Sequence, residues 1–228
     1  MALMEAIAIV LAAGAGRRLG IGEPKAFLSL GDSPILVWAA RSALACPEVG
    51  ALVVTAPPGF EDAARALLAG LGGSVTVVTG GNTRQASVRA ALTRVPLDVP
   101  YVLVHDAARP FVSPDLFSRV LEAVQGEAAG ALPVLPVTDT VKQIASGWVR
   151  ATVARDELGL AQTPQAFRSD VLRASHEAAI SDELTDDAAV LERSGHRVRA
   201  IAGDINNVKI TTMLDLIAAR ERVEGARG

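Results

Sequence analysis

Residues 6–11, Ala-Ile-Ala-Ile-Val-Leu, form an unbroken apolar run of the kind a strand buried on both faces requires. The stretches at 51–55, 74–78, 100–104, 129–134 and 197–202 read as further strands. Between them lie helical segments: from Ser33-Pro34 to about residue 45 ahead of Pro47, then 60–69, then 84–94 with Asn82 as its cap, then 113–125 opened by Ser113-Pro114-Asp115. Later helices are expected at 169–180 behind Ser169-Asp170, at 185–194 behind Thr185, Asp186 and Asp187, and from Thr211 or Thr212 onward. Strands alternating with helices predict an α/β, Rossmann-like fold, a mostly parallel sheet covered by helices on both faces.

The pattern changes between 136 and 154, where two short β-like runs, 139–144 and 148–153, are joined at Ala145-Ser146-Gly147. That is a hairpin signal. A hairpin inserted into an α/β domain has little beneath it to pack on, so its apolar face meets another chain or folds back as a flap on its own. The expectation is a single domain over 1–228 with an inserted arm at about 136–160.

Composition narrows the partners. A chain of 228 residues that is 50% hydrophobic can bury a full core. The net charge of -3 and the lack of a polybasic run argue against nucleic acid as the main partner. No apolar segment approaches the roughly 20 residues of a membrane span, so a soluble protein with no membrane partner is expected. The first five residues carry no basic region, and Cys46 is the sole cysteine, read as a small core residue; a cytoplasmic location is the expectation.

The candidate chemistry starts where the first strand ends, in Ala12-Ala13-Gly14-Ala15-Gly16-Arg17-Arg18, followed by Glu23-Pro24-Lys25. Small residues let the backbone approach a ligand, free N–H groups suit an anion, and two arginines with a lysine imply that the anion is highly charged. The loop lacks the Gly-Lys-Ser/Thr ending of a P-loop, and Leu19 stands where a dinucleotide fingerprint needs its third glycine. It does resemble the signature of nucleotidyltransferases that activate sugars and polyols with NTPs, in which Arg18 and Lys25 would neutralise the triphosphate.

The third strand opens into Thr79-Gly80-Gly81-Asn82-Thr83-Arg84-Gln85-Ala86-Ser87, either a capped turn or a base-recognition turn using Gly81, Asn82 and Ser87. The fourth opens into His105-Asp106-Ala107-Ala108-Arg109-Pro110. A carboxylate at the end of a central strand, beside a phosphate loop, makes Asp106 the candidate Mg²⁺ ligand. His105 should point to the opposite face and reads as structural. Arg109 suits either a surface ion pair or an acceptor contact. The only lysines, Lys25, Lys142 and Lys209, all fall inside such motifs.

These motifs together resemble the 2-C-methyl-D-erythritol 4-phosphate cytidylyltransferase family of the non-mevalonate isoprenoid pathway. The likeness extends through 81–87, 136–142, Gln162-Thr163-Pro164-Gln165, Thr185-Asp186-Asp187 and 207–211. It implies an Mg²⁺-dependent transfer of CMP from CTP to a polyol phosphate, with Arg18, Lys25 and Lys209 catalytic. Ala12, Ala13, Gly14, Ala15, Gly16, Arg18, Lys25, Gly81, Asn82 and Ser87 would hold the nucleotide. Asp106, Ala107, Arg109, Thr140, Arg155, Thr185 and Lys209 would hold the acceptor, with Thr140 and Arg155 reaching across a homodimer. Asn82 and Asn206 stand where the family often carries aspartate. The same motifs also suit a ribitol-5-phosphate cytidylyltransferase, and a non-catalytic nucleotide-binding regulator is the alternative from another class.

Overall fold

The computed structural model of the chain describes residues 6–14, 22–179 and 184–225. In chain order the elements are β1 (Ala6–Leu11), a single 3-10 turn (Lys25–Phe27), β2 (Ser29–Leu30), β3 (Ser33–Pro34), α1 (Ile35–Leu44), β4 (Val49–Ala56), α2 (Glu61–Leu68), β5 (Ser74–Thr79), α3 (Arg84–Leu92), β6 (Tyr101–Asp106) and α4 (Pro114–Val124). There follow β7 (Gly130–Pro136), β8 (Val141–Ala145), β9 (Trp148–Val153), a second 3-10 turn (Arg155–Glu157), β10 (Gly159–Ala161), β11 (Gln165–Arg168), α5 (Ser169–Ala178), α6 (Asp187–Arg193), β12 (Val198–Ala202) and α7 (Met213–Gly225).

The main sheet runs β10-β7-β11-β6-β1-β4-β5, with β12 on β7. Its centre is parallel: β1 lies between β4 and β6, and β5 extends beyond β4. Alternation along β1 serves two cores. Ala6, Ala8 and Val10 pack with α1 and α4, through side chains such as Leu36, Phe117 and Leu121. Ile7 and Ile9 pack on the other face with Val88 of α3, Leu172 of α5 and Leu191 of α6. A third cluster seats α7 through Leu216, Ala219 and Val223 on Leu30, Ile35 and Ile210. The predicted α/β architecture with a mostly parallel sheet, helices and an extra β-hairpin is what the structure has.

Helix starts α1 and α5 differ from expectation, and α6 narrows it to one residue of the expected set. Ser33 does not cap α1: Ser33 and Pro34 pair with Leu30 and Ser29 in a two-residue ladder, around a turn in which Gly31 takes φ 66°, and Pro34 precedes the helix without a side-chain cap. Ser169 does not cap α5 either, because β11 feeds directly into the helix and leaves Arg168 at the cap position and Ser169 buried. At α6 the cap is Asp186, which accepts from Ala189 N–H at 3.0 Å, and Thr185 stands outside. β10 and β11, antiparallel insertions beside β7 and β6, have no counterpart among the expected strands.

The hairpin forms as predicted, with its first strand starting at Val141, not at 139. Ser146 (φ 50°) and Gly147 (φ 80°) make its two-residue turn, where positive φ at both central positions matches the twist of the strands. Its strands pair only with each other among the described residues.

Candidate active site

The chain leaves β1 for β4 and β5, then crosses back to β6 on the other side of β1. That reversal puts a crevice at the carboxyl ends of β1 and β6, where ligands of open α/β sheets bind. Leu11 pairs with Thr55 on one side and Asp106 on the other. Beyond the ladder, Ala12 N–H donates to Thr55 O at 3.0 Å and Ala107 N–H donates to Leu11 O at 3.1 Å, so both loops leave the sheet from fixed positions.

A cavity of about 650 Å³ opens there. Of the residues predicted for nucleotide, Ala12, Ala13, Gly14, Lys25, Gly81, Asn82 and Ser87 line it, together with Asp106, Ala107 and Lys209 from the acceptor and metal set. Ala15, Gly16 and Arg18 lie outside the described residues. The segments brought together span nearly the whole chain, which is what a single ligand site assembled from loop ends requires.

The 79–87 turn is built for close approach. A Cβ on Gly80 would stand 2.2 Å from Ala13 Cβ and 3.0 Å from Ser87 Oγ, so only glycine lets this turn meet the first loop. Gly81 N–H donates to Ser87 Oγ at 3.1 Å, and that hydroxyl donates to Thr83 O at 3.0 Å. Thr83, not Asn82, caps α3, with Oγ1 accepting from Ala86 N–H at 3.0 Å. Thr83 is one residue from the helix and its oxygen reaches the N-terminal amide; Asn82 is left exposed at the cavity rim.

Charge concentrates on Asp106. Its Oδ2 lies 2.5 Å from Lys209 Nζ and its Oδ1 lies 3.5 Å from Arg84 Nε. Burial works to raise the Asp106 pKa, but Arg84 and Lys209 outweigh it and hold the carboxyl well below the usual range. Lys25 Nζ donates to Ile210 O at 2.6 Å, which brings the second lysine to the segment that carries the first. Arg84, which the sequence marks only as the start of a helix, also stands on the cavity wall.

His105 points away from the cavity, as predicted. It is fully buried against Phe117, with ring centroids 5.3 Å apart. Its Nε2 lies 3.2 Å from Arg109 O, which only accepts, so Nε2 carries the proton. Burial pushes the ring's pKa down to about 4, so at neutral pH Nδ1 is bare and takes the Thr163 hydroxyl at 3.1 Å. Thr163 Oγ1 in turn accepts from Asp106 N–H at 3.0 Å. The histidine thus sets the backbone that presents Asp106.

Four predicted acceptor residues do not line the cavity within one chain. Arg109 directs Nη1 to Asn207 O at 2.8 Å and Nη2 to Ala161 O at 3.2 Å, bracing the 207–209 segment. Thr140 and Thr185 are exposed, and Arg155, at the foot of the hairpin, is exposed and donates to Thr138 O.

The model of the family 2-C-methyl-D-erythritol 4-phosphate cytidylyltransferase matches residues 6–224. The chain belongs to that family. A cytidylyltransferase of this name from Rhodococcus jostii is 46% identical over 219 residues, covering 96% of this chain and 95% of the relative. Among solved structures, the cytidylyltransferase of Thermus thermophilus is 36% identical with a TM-score of 0.78, covering 95% of this chain and 98% of that one. The 4-diphosphocytidyl-2C-methyl-D-erythritol synthase of Anaerococcus prevotii superposes with a TM-score of 0.86 at 28% identity, covering 96% of each chain. Membership of the cytidylyltransferase family agrees with a cavity that joins a glycine-rich loop to two lysines.

Proposed function

We propose that this cavity transfers CMP from CTP to 2-C-methyl-D-erythritol 4-phosphate, releasing pyrophosphate, in isoprenoid precursor synthesis. The observation that carries the reading is the meeting of Lys25, Lys209 and Asp106 with the 12–14 and 81–87 segments around one cavity, in a chain of this family. The turn at Gly81, Asn82 and Ser87 receives the base, and the 12–18 loop with Lys25 receives the triphosphate. The acceptor phosphate, already an anion near neutral pH, attacks the α-phosphorus in line and needs no general base. Lys25 and Lys209 stabilise the charge that spreads over the transferring group.

Among the described residues no cluster of three or more His, Cys, Asp or Glu side chains could hold a metal, and Asp106 is the one carboxylate on the cavity wall. That donor set fits Mg²⁺ carried mainly by nucleotide phosphates, with Asp106 as its protein ligand. When bound, the ion would neutralise phosphate oxygens. The chain's own residues do the rest: Lys209 is held in place by Asp106 until phosphate competes for it.

The hairpin exposes Ile144 (64%), Trp148 (78%) and Val149 (63%), a surface that suits a second copy of the chain. In such a homodimer Thr140 and Arg155 would serve the partner's acceptor site, and Arg109 and Thr185 would stand around the acceptor of their own chain. No helix among the described residues is long and apolar enough to cross a membrane. The cytoplasm, where CTP is available, is the location that this reading implies.

The deciding experiment measures pyrophosphate release with Mg²⁺ and CTP, offering 2-C-methyl-D-erythritol 4-phosphate or ribitol 5-phosphate. Preference for the first is expected. Preference for the second would keep the chemistry and change the acceptor. CTP binding without release from either would favour the regulatory alternative.

A further inference from the structure

Arg84 reaches two carboxylates on different elements. Its Nη1 lies 2.6 Å from Asp187 Oδ2 and its Nε lies 3.5 Å from Asp106 Oδ1. Asp187 opens α6 and is fully buried, and its other oxygen sits 2.9 Å from His176 Nε2, which donates to it from α5. Neither Asp187 nor His176 lines the cavity. A continuous array, His176 to Asp187 to Arg84 to Asp106 to Lys209, therefore runs from the packing of α5 against α6 to the cavity wall.

Stability alone is a poor reason for such an array. Removing charges from water costs several kcal/mol each, and apolar side chains of the same volume often do as well. Among the described residues, Arg84 Nη2 and His176 Nδ1 are both buried without a hydrogen-bond partner, a cost that a network serving only the fold would avoid.

Geometry gives the array a use. Asp106 has one oxygen turned to Arg84 and the other to Lys209. While Arg84 occupies Oδ1, the carboxylate cannot turn both oxygens to Lys209, whose ammonium stays available to phosphate. Arg84 in turn would swing fully onto Asp106, or onto a bound phosphate, were its terminal nitrogen not anchored by a buried anion. A planar guanidinium can bridge two carboxylates in this way, whereas an ammonium is a single point charge.

We propose that Arg84 is a positioning residue which, anchored by Asp187 and His176, fixes the carboxylate of Asp106 and through it the ammonium of Lys209. This rests on the reading that Asp106 and Lys209 serve cytidylyl transfer.

The test is a kinetic cycle with Asp187→Asn, which keeps shape and removes charge, and His176→Asn, which keeps the Arg84–Asp187 pair and so guards against a variant that fails to fold. Asp187→Asn should lower kcat about tenfold or more, as misplacement near reacting groups does, with KM for CTP changed by less than about threefold. His176→Asn should lower kcat by a smaller factor. In an Asp106→Asn background both effects should shrink to less than about twofold, because the carboxylate to be positioned is gone. A purely structural role predicts a lower melting temperature and effects that multiply in full across the cycle. Folded Asp187→Asn or His176→Asn with wild-type kcat, or full multiplication, would overturn the proposal. Should the wild-type chain turn over neither acceptor, the functional reading fails instead. The crystal structure of a folded variant of the pair then decides the positioning claim, which is refuted if the Asp106 carboxylate keeps its place between Arg84 and Lys209.

Discussion

Lys25 donates its ammonium to the carbonyl of Ile210 at 2.6 Å, across a sequence separation of 185 residues. The neighbouring residue, Lys209, reaches Asp106. The two lysines thus come from opposite ends of the chain and meet at the 209–210 segment. Lys25→Ala and Lys209→Ala should each lower kcat by roughly 10²–10³, the scale for removing one preorganised charge from a transition state. Circular dichroism should be unchanged. Lys25→Arg should restore little, because a planar fork cannot take the ammonium's place under Ile210 O. Turnover near wild type in either alanine variant would remove that lysine from the mechanism.

The Gly80 backbone touches the first loop with no room to spare. Gly80→Ala puts a methyl group 2.2 Å from Ala13 Cβ, so one of the two loops must move. Overpacking of this kind costs about 1–3 kcal/mol. Because both loops line the nucleotide side of the cavity, the expected result is a KM for CTP raised about tenfold, since about 1.4 kcal/mol is a factor of ten in binding. Calorimetric titration with CTP reads this directly; unaltered affinity would mean that the turn does not shape the nucleotide site.

His105 makes stability depend on pH. Its pKa is lowered to about 4 by burial from an ordinary value of 6.5, so between those values the unfolded chain binds more protons than the folded one. The contribution is fully present above about pH 6.5 and is lost as pH falls towards 4, amounting to at most about 3 kcal/mol at 1.36 kcal/mol per unit. Denaturant melts in EDTA across that window should show wild-type stability falling more steeply with acid than that of His105→Gln. Parallel slopes would show that the ring does not titrate as its burial implies.

Much of this is legible in the sequence because the parallel half of the sheet carries its own pattern. β1, β4 and β6 carry apolar runs and β5 an alternating one, and the residues that follow them meet in the cavity. β10 and β11 are invisible there because three or four residues hold no period, and their pairing is decided by β6 and β7, far away in sequence. Arg84 escapes for a related reason: its partners Asp106 and Asp187 come from later elements, and nothing near it in the chain distinguishes it from any first-turn arginine. Asn82 and Thr83 are both residue types that cap well, and only the backbone geometry chooses the second over the first.

The hairpin offers the last test. Ile144, Trp148 and Val149 are between 63% and 78% exposed, and they sit on an arm whose strands pair only with each other among the described residues. An isolated two-stranded hairpin is marginal in water, so an ordered arm implies packing against something. If that is a second copy, the chain should sediment at twice its 23.6 kDa. Trp148→Glu with Val149→Asp should then yield a monomer with an unchanged main-sheet fold, because these side chains contribute nothing to the three cores. Turnover should fall as dimerisation is lost, chiefly through KM for the acceptor, since Thr140 and Arg155 would no longer reach a partner's site. A monomeric wild type, or a fully active monomeric variant, would show that each cavity is complete within its own chain.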